Sequence, residues 1–256
     1  MFFNKSISKW LYSFFIFISF STFIGIWFIL SITMQSAETF LPSPYKVLLS
    51  TVDLFYNHEF HKDILASIWR VTAGFTLALL IGVPAGILIG TTRHVEALIQ
   101  PLNDFFRYLP VAALIPLTIL WCGIDDEQKI LIIFIGTVFQ LIPLVADSVA
   151  RTPKNMIELG YTMGYRKWQV VIRVVTPWCA PQIYDHARVS LGLAWSYLIV
   201  AELVAAKQGI GHVIIQAQRM IQVDYVMSGI LIIGIIGVFF DYMFRLPKSR
   251  LFPWLK

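Results

Sequence analysis

Two histidines three residues apart, His58 and His61, sit in the run NHEFHKD beside Glu59 and Asp63. On a helix that spacing puts two imidazoles on one side, a possible start of a metal site. A solvated polar loop accounts for the run better, and no metal site is expected there. Cys122 and Cys179 fall in or beside apolar runs without ligand-type neighbours, as inert buried thiols do. No catalytic constellation stands out. No GxxxxGK[ST] stretch is present, so any work drawn from ATP must be powered by another chain. Glu202 is different, because it lies deep in the apolar run SYLIVAELVAA. A carboxylate in lipid is costly. It either reaches the headgroups or faces a solute path or a partner helix. Arg70, in ASIWRVTAGF, is expected to snorkel from the start of its run. Asp241 and Arg245 are expected to pair one helical turn apart. The aromatics Trp121, Phe139, Trp195 and Tyr197 either pack against neighbours or line a path.

These residues are positioned by long apolar elements. The 256 residues are 57% hydrophobic and 14% charged, with mean hydropathy +0.72. A soluble domain carries about 25% charged residues. The deficit points to an all-α integral membrane protein. The net charge of +5 is modest, and the basic residues fall at the ends of apolar runs. They form no single basic face, which excludes a nucleic-acid partner.

A membrane helix needs about 20 apolar residues. Six candidate spans run over about 10–33, 67–91, 108–123, 128–147, 183–206 and 225–244. The first is too long for a cleaved signal peptide and no small-residue cleavage site follows it, so it is expected to remain. The third is short and broken by Pro110 and Pro116. With the N-terminus in the cytoplasm, 14 of the 20 Lys and Arg fall in inner segments and 6 in outer ones. That asymmetry favours six spans with both termini cytoplasmic. Outside, Pro42 and Pro44 open an extended turn, followed by apolar residues at helical spacing, the pattern of a short amphipathic interfacial helix. Gly82, Gly86 and Gly90 recur every four residues along the second span, a stripe for close helix approach within the chain or between copies. Residues 1–256 read as one transmembrane domain, divided into an N-terminal span (1–40) and a core (41–256).

One polar, basic segment interrupts the core. Residues 151–177 read RTPKNMIELGYTMGYRKWQVVIRVVTP. Thr152 can cap a helix whose first position is Pro153. Gly164 can take the left-handed conformation that ends it. A sharp turn is expected there, and a second helix then runs up to Thr176-Pro177. Placed in the cytoplasm, such a short rigid helix is suited to transmitting force to a partner.

This segment resembles the coupling motif of ABC importer permeases, in outline E-A-A, three residues, G, nine residues, I, one residue, L-P. Glu158-Leu159-Gly160 stand for the triplet, Gly164 for the glycine and Thr176-Pro177 for the closing pair. Val174 and Thr176 replace the isoleucine and leucine. The resemblance narrows to the permeases for nitrate, bicarbonate, sulfonates and taurine. LPSPYKVL, SIWRVTAGFTLALLIGVPAGILIG, GLAWSYLIVAELVAAKQGIG and the tail Pro253-Trp254 follow that group in order and spacing.

The resemblance implies a subunit that is not itself an enzyme and that moves a small solute inward by alternating access. The solute would be an anion such as nitrate, bicarbonate or a sulfonate, with a thiamine-precursor heterocycle as the alternative within the family. It implies a homodimer in a bacterial inner membrane, two ABC ATPase subunits carrying ATP and Mg, and a periplasmic or lipid-anchored solute-binding protein. Coupling to the ATPase would fall to Thr152, Pro153, Glu158, Leu159, Gly160, Met163, Gly164, Arg166 and Pro177. Glu202, Trp195, Tyr197, Trp121 and Phe139 are the solute-path candidates. A secondary transporter, or a membrane enzyme, would instead show more intramembrane charge or clusters of His and carboxylates.

Overall fold

The computed structural model describes residues 8–33 and 40–255. Lys5 and Lys256, two of the 14 inner basic residues, and residues 34–39 of the outer loop lie outside the described residues. The described residues are helical, in the order α1 (Lys9–Thr33), α2 (Pro44–Asn57), α3 (Phe60–Thr91), α4 (Arg93–Arg107), α5 (Ile115–Cys122), α6 (Asp126–Ala150), α7 (Lys154–Thr162), α8 (Lys167–Val170), α9 (Thr176–Ala205), α10 (Ile210–Arg219) and α11 (Val223–Leu251), with short 3-10 and π turns between some of them. Among the described residues, five helical stretches are long and apolar enough to cross a membrane: 10–33, 60–91, 126–150, 167–204 and 223–251. A sixth is reached if the bent pair Arg93–Arg107 and Val111–Cys122, which meet at 89°, counts as one span.

The chain clusters into two compact units. The first holds residues up to Phe60 and Val213–Leu231. Within it, α1 lies almost wholly exposed, as befits a Phe- and Ile-rich lipid-facing helix. The Trp27 indole N–H donates to the Pro42 carbonyl at 3.1 Å, tying α1 to the entry of α2. Ser43 caps α2 by accepting from the Lys46 N–H, and Pro44 takes a first-turn position where its missing N–H costs nothing. The expected extended turn is therefore a helix start. The amphipathic α2 buries Val47, Ser50 and Leu54. Asp53 accepts from the Tyr225 hydroxyl at 2.5 Å and from the Asn57 amide at 2.6 Å. Those two bonds hold its carboxyl below the usual carboxylate range, Tyr225 contributing most.

The second unit holds His61–His212 and Ile232–Lys256. Its centre is the packing of α6 against α3 and α9. A Cβ on Gly86 would sit 2.6 Å from Val145 Cβ, and one on Gly90 2.7 Å from the Ala146 carbonyl oxygen. The glycine stripe therefore serves close approach within one chain, α3 to α6. On the other side of α6, Gly136 backs onto the Tyr197 ring of α9.

Two expectations are corrected here. The fifth span does not begin at about Ile183, because the helix passes through Pro177. Pro177 lacks an N–H and its ring crowds the carbonyl one turn back. The helix widens into a π turn over Val171–Val175, and the Thr176 hydroxyl donates to the Val171 carbonyl at 2.9 Å. The helix then continues to Ala205, so the fifth span begins well before Ile183. The third span is also not a simple short helix: α4 is a strongly amphipathic element preceding the break at Pro110.

Candidate functional site

Two sites emerge, at different places in the second unit. The first is α7 and its flanks. Pro153 is the N-cap, and the helix spans Lys154–Thr162. Thr152, expected to cap, does not: its hydroxyl is buried and without a hydrogen-bond partner. Pro153 has an extended backbone that carries the chain into the helix, and its carbonyl accepts the Met156 N–H. The C-terminus closes as a Schellman motif. Tyr165 N–H donates to the Gly160 carbonyl and Gly164 N–H to the Tyr161 carbonyl, with Gly164 at φ +80°. Arg166 is the N-cap of α8, and its backbone N–H donates to the Gln169 side chain.

Gly160 is buried because a Cβ there would lie 3.2 Å from Val170 and 3.3 Å from Val174. The close contact seats one side of α7 on the following helix. Leu159 and Met163, one turn apart, stay 57% and 62% exposed. The two side chains form an exposed apolar pair on a helix anchored from behind. Glu158 is also exposed, and Pro177 sits in the continuous helix described above.

The second site is a buried charge cluster that residue types alone did not reveal. Glu202 has no exposed surface, and Arg70 is 5% exposed. Arg70 does not snorkel, and Glu202 does not reach for headgroups. Arg70 Nη1 lies 2.6 Å from Glu202 Oε1 and 2.6 Å from the Gln208 carbonyl oxygen. Its Nε and Nη2 hold Asp126 at 2.8 and 2.7 Å. Ser67 donates to the Glu202 carboxylate and accepts the Ile210 N–H at 3.0 Å. The Gly211 N–H donates to Glu202 at 2.9 Å, and the Gly209 N–H to Asp63 at 2.7 Å. Three consecutive backbone N–H groups are thus held by side chains of α3 and α9. Lys129, also buried, donates to the Ile124 and Asp125 carbonyls. Gly209, at φ +125°, leaves no room for a side chain, because a Cβ there would fall on the Glu202 carboxylate and the Arg70 guanidinium. The arrangement clamps residues 206–211, the connection after α9 together with the start of α10.

The other path candidates have separate settings. Trp195 is 4% exposed, its ring next to Phe240 and its indole N–H unpartnered. Tyr197 packs on Gly136. Phe139 stacks on Phe106 at 5.0 Å, and Trp121 is 65% exposed. The expected Asp241–Arg245 pair forms at 2.9 Å and is joined by Arg188 at 3.0 Å. His58 pairs with Asp53 at 3.5 Å, and among the described residues no group of three His, Cys, Asp or Glu side chains could hold a metal. A signal for the cluster existed in the intramembrane charges Arg70 and Glu202, but nothing in the sequence joined them.

Comparison with known proteins agrees with the helical architecture. The family model for the binding-protein-dependent transport system inner membrane component matches residues 82–252. A probable ABC transporter permease protein of Brucella melitensis is 34% identical over 93% of this chain and 95% of its own length. The taurine transport system permease protein of Escherichia coli is 28% identical over 90% of this chain and 86% of its own. The bicarbonate transport system permease protein of Synechococcus elongatus is 30% identical over 69% of this chain and 64% of its own. Among solved structures, an inward-facing MetNI methionine ABC transporter chain superposes with TM-score 0.64 at 18% identity, over 75% of this chain and 94% of that one, which shows the shared fold. The match over 82–252 and the alignment of relatives along most of the chain show that it belongs to the family of binding-protein-dependent transport system inner membrane components, as a non-enzymatic ABC permease subunit whose ATPase resides on separate chains.

Proposed function

We propose that this permease imports a small anion of the sulfonate, taurine or bicarbonate class by alternating access, driven through α7. The observation that carries the coupling role is the exposed Leu159–Met163 face on a helix anchored from behind by Gly160. The solute class is supported by the taurine and bicarbonate permeases among the relatives. Two copies of the chain pair in a bacterial inner membrane with both termini in the cytoplasm. Two ATPase subunits bind below, each seating one α7, and a solute-binding protein delivers the solute from outside. Thr152, Pro153, Glu158, Leu159, Gly160, Met163, Gly164, Arg166 and Pro177 make or position this contact. ATP and the loaded binding protein each bias the two-state equilibrium by their differential affinity for its states.

Glu202 has a positioning role in this scheme. Held by Arg70, Ser67 and the Gly211 N–H, it fixes the outer connection 206–211 against α3, where the path must open and close. Trp195, Tyr197, Phe139 and Trp121 remain the aromatic candidates along the path. The whole chain acts as one permease domain, with residues 1–40 as an added N-terminal span.

Reconstitution of the permease with its ATPase and binding protein in proteoliposomes tests this reading. ATP-dependent uptake of the anion that stabilises the binding protein in a thermal-shift screen is the expected result. Uptake that persists without any ATPase would contradict it.

A further inference from the structure

Two arginines share one carboxylate where α9 meets the charged end of α11. Arg188 Nε lies 3.0 Å from Asp241 Oδ1, and Arg245 Nε lies 2.9 Å from Asp241 Oδ2. A single carboxylate cannot balance both. The adjacent pair lends no charge, because Lys248 Nζ already donates to both Asp185 oxygens, at 2.8 and 2.6 Å. Beyond Asp241, neither guanidinium has a partner among the described residues. Arg188 Nε is buried and is not aligned to donate a hydrogen bond even to Asp241. A guanidinium carries five N–H donors in a planar fork that matches an oxyanion. Here most of those donors are unspent. A surplus cation at the edge of hydrocarbon is costly until an anion meets it.

The surroundings place this surplus at headgroup depth. Arg188 is the inner member, its side chain 27% exposed against 62% for Arg245. Beside Arg245 on α11, the exposed large side chains are Tyr242, Met243 and Leu246, a lipid-facing set. Tyr184 of α9, Phe252 and Trp254 follow as a run of rings with centroids 5.7 and 5.5 Å apart. The Tyr184 hydroxyl donates to the Phe244 carbonyl at 2.8 Å, which fixes the run to α11. Tyrosine and tryptophan collect where a membrane meets water.

We propose that Arg188 and Arg245 form a site for the phosphodiester of an anionic phospholipid of the phosphatidylglycerol type. Arginine takes phosphate oxygens in bidentate bonds, and basic pockets between spanning helices suit anionic headgroups. Asp241 spaces the two guanidiniums. Arg188 is the fixed inner contact and Arg245 the outer one that closes on the headgroup, while the acyl chains lie along Tyr242, Met243 and Leu246. An anionic lipid brings the charge that Asp241 alone does not supply. A zwitterionic lipid brings a cation of its own and gains less. The bound headgroup bridges α9 and α11 and braces them at this end.

The test uses the full chain, released from nanodiscs holding equal parts of phosphatidylglycerol and phosphatidylcholine, with retained lipid counted by native mass spectrometry. Wild type should retain phosphatidylglycerol at least about fivefold over phosphatidylcholine, and Arg245→Gln and Arg188→Gln should each lower that preference by about fivefold. Arg245 is mostly exposed, so its variant keeps the fold. Arg219→Gln, on α10, should leave the preference unchanged. Inorganic phosphate at millimolar concentration should not displace the lipid. Equal retention of the two lipids by wild type, or a preference unmoved in Arg245→Gln, would overturn the proposal. Displacement by inorganic phosphate would also overturn it, by assigning the arginines to a free oxyanion.

Discussion

Arg70 and Glu202 are 132 residues apart in the chain and 2.6 Å apart in the fold, both with almost no exposed surface. Removing one member of a buried ion pair costs about 3–5 kcal/mol, because the survivor is left uncompensated. The two truncations should differ. Glu202→Ala leaves Arg70 with Asp126 and the Gln208 carbonyl. Arg70→Ala leaves Glu202 with Ser67 and the Gly211 N–H but without its paired cation. Arg70→Ala is therefore expected to be the more destabilising. The double variant should lose less than the sum, by about 1–3 kcal/mol. Denaturation in detergent of the four proteins of this cycle measures both. Strict additivity would show that the pair does not hold the fold.

The clamp makes a second prediction at its glycine. Gly123 and Gly209 both have positive φ, but a Cβ on Gly123 meets nothing within 4 Å, while one on Gly209 falls into the charge cluster. Gly123→Ala should cost about 1 kcal/mol for the backbone alone. Gly209→Ala should cost clearly more and expose the 206–211 connection to protease. Equal stability and equal cleavage of the two variants would refute the clamp.

Asn103 and Pro143 give a third prediction. Asn103→Ala strands the Phe139 carbonyl, at a cost of about 1–3 kcal/mol. Pro143→Ala restores an N–H one turn beyond that carbonyl. Pro143→Ala should therefore rescue Asn103→Ala in thermal denaturation, and a failure to rescue would mean that Asn103 does not serve the proline break.

Much of this fold is legible in the sequence. The spans announce themselves by apolar length, and α7 by basic and small residues between Thr152 and Gly164. The α3 glycines signal close approach, although only the structure shows that the partner is α6 of the same chain. Three features were hidden for physical reasons. Proline argues locally for a helix end at Pro177, but a π turn absorbs it, and that adjustment leaves no residue signature. The amphipathic α4 has polar positions that read as a loop between spans until its apolar side is seen against α6. The charge cluster depends on which turn of α3 faces which turn of α9, a matter of packing register. From local sequence Arg70 looks like a lone charge at the start of a span and Glu202 like a lone carboxylate within one.

The central claim is that α7 seats on the ATPase and transmits its motion. Gly164 ends α7 at φ +80° with open space around it. A β-branched side chain there costs about 1 kcal/mol or more in backbone strain without any clash, and it redirects the chain leaving the helix. Glu158→Lys reverses charge on the exposed helix, with an effect that salt should moderate. The most direct measurement is co-purification of the ATPase with Gly164→Val and with Glu158→Lys, together with ATP-dependent uptake. The account predicts near-normal membrane expression of both variants, weakened ATPase association and lost uptake. Full association and full uptake in both would contradict it.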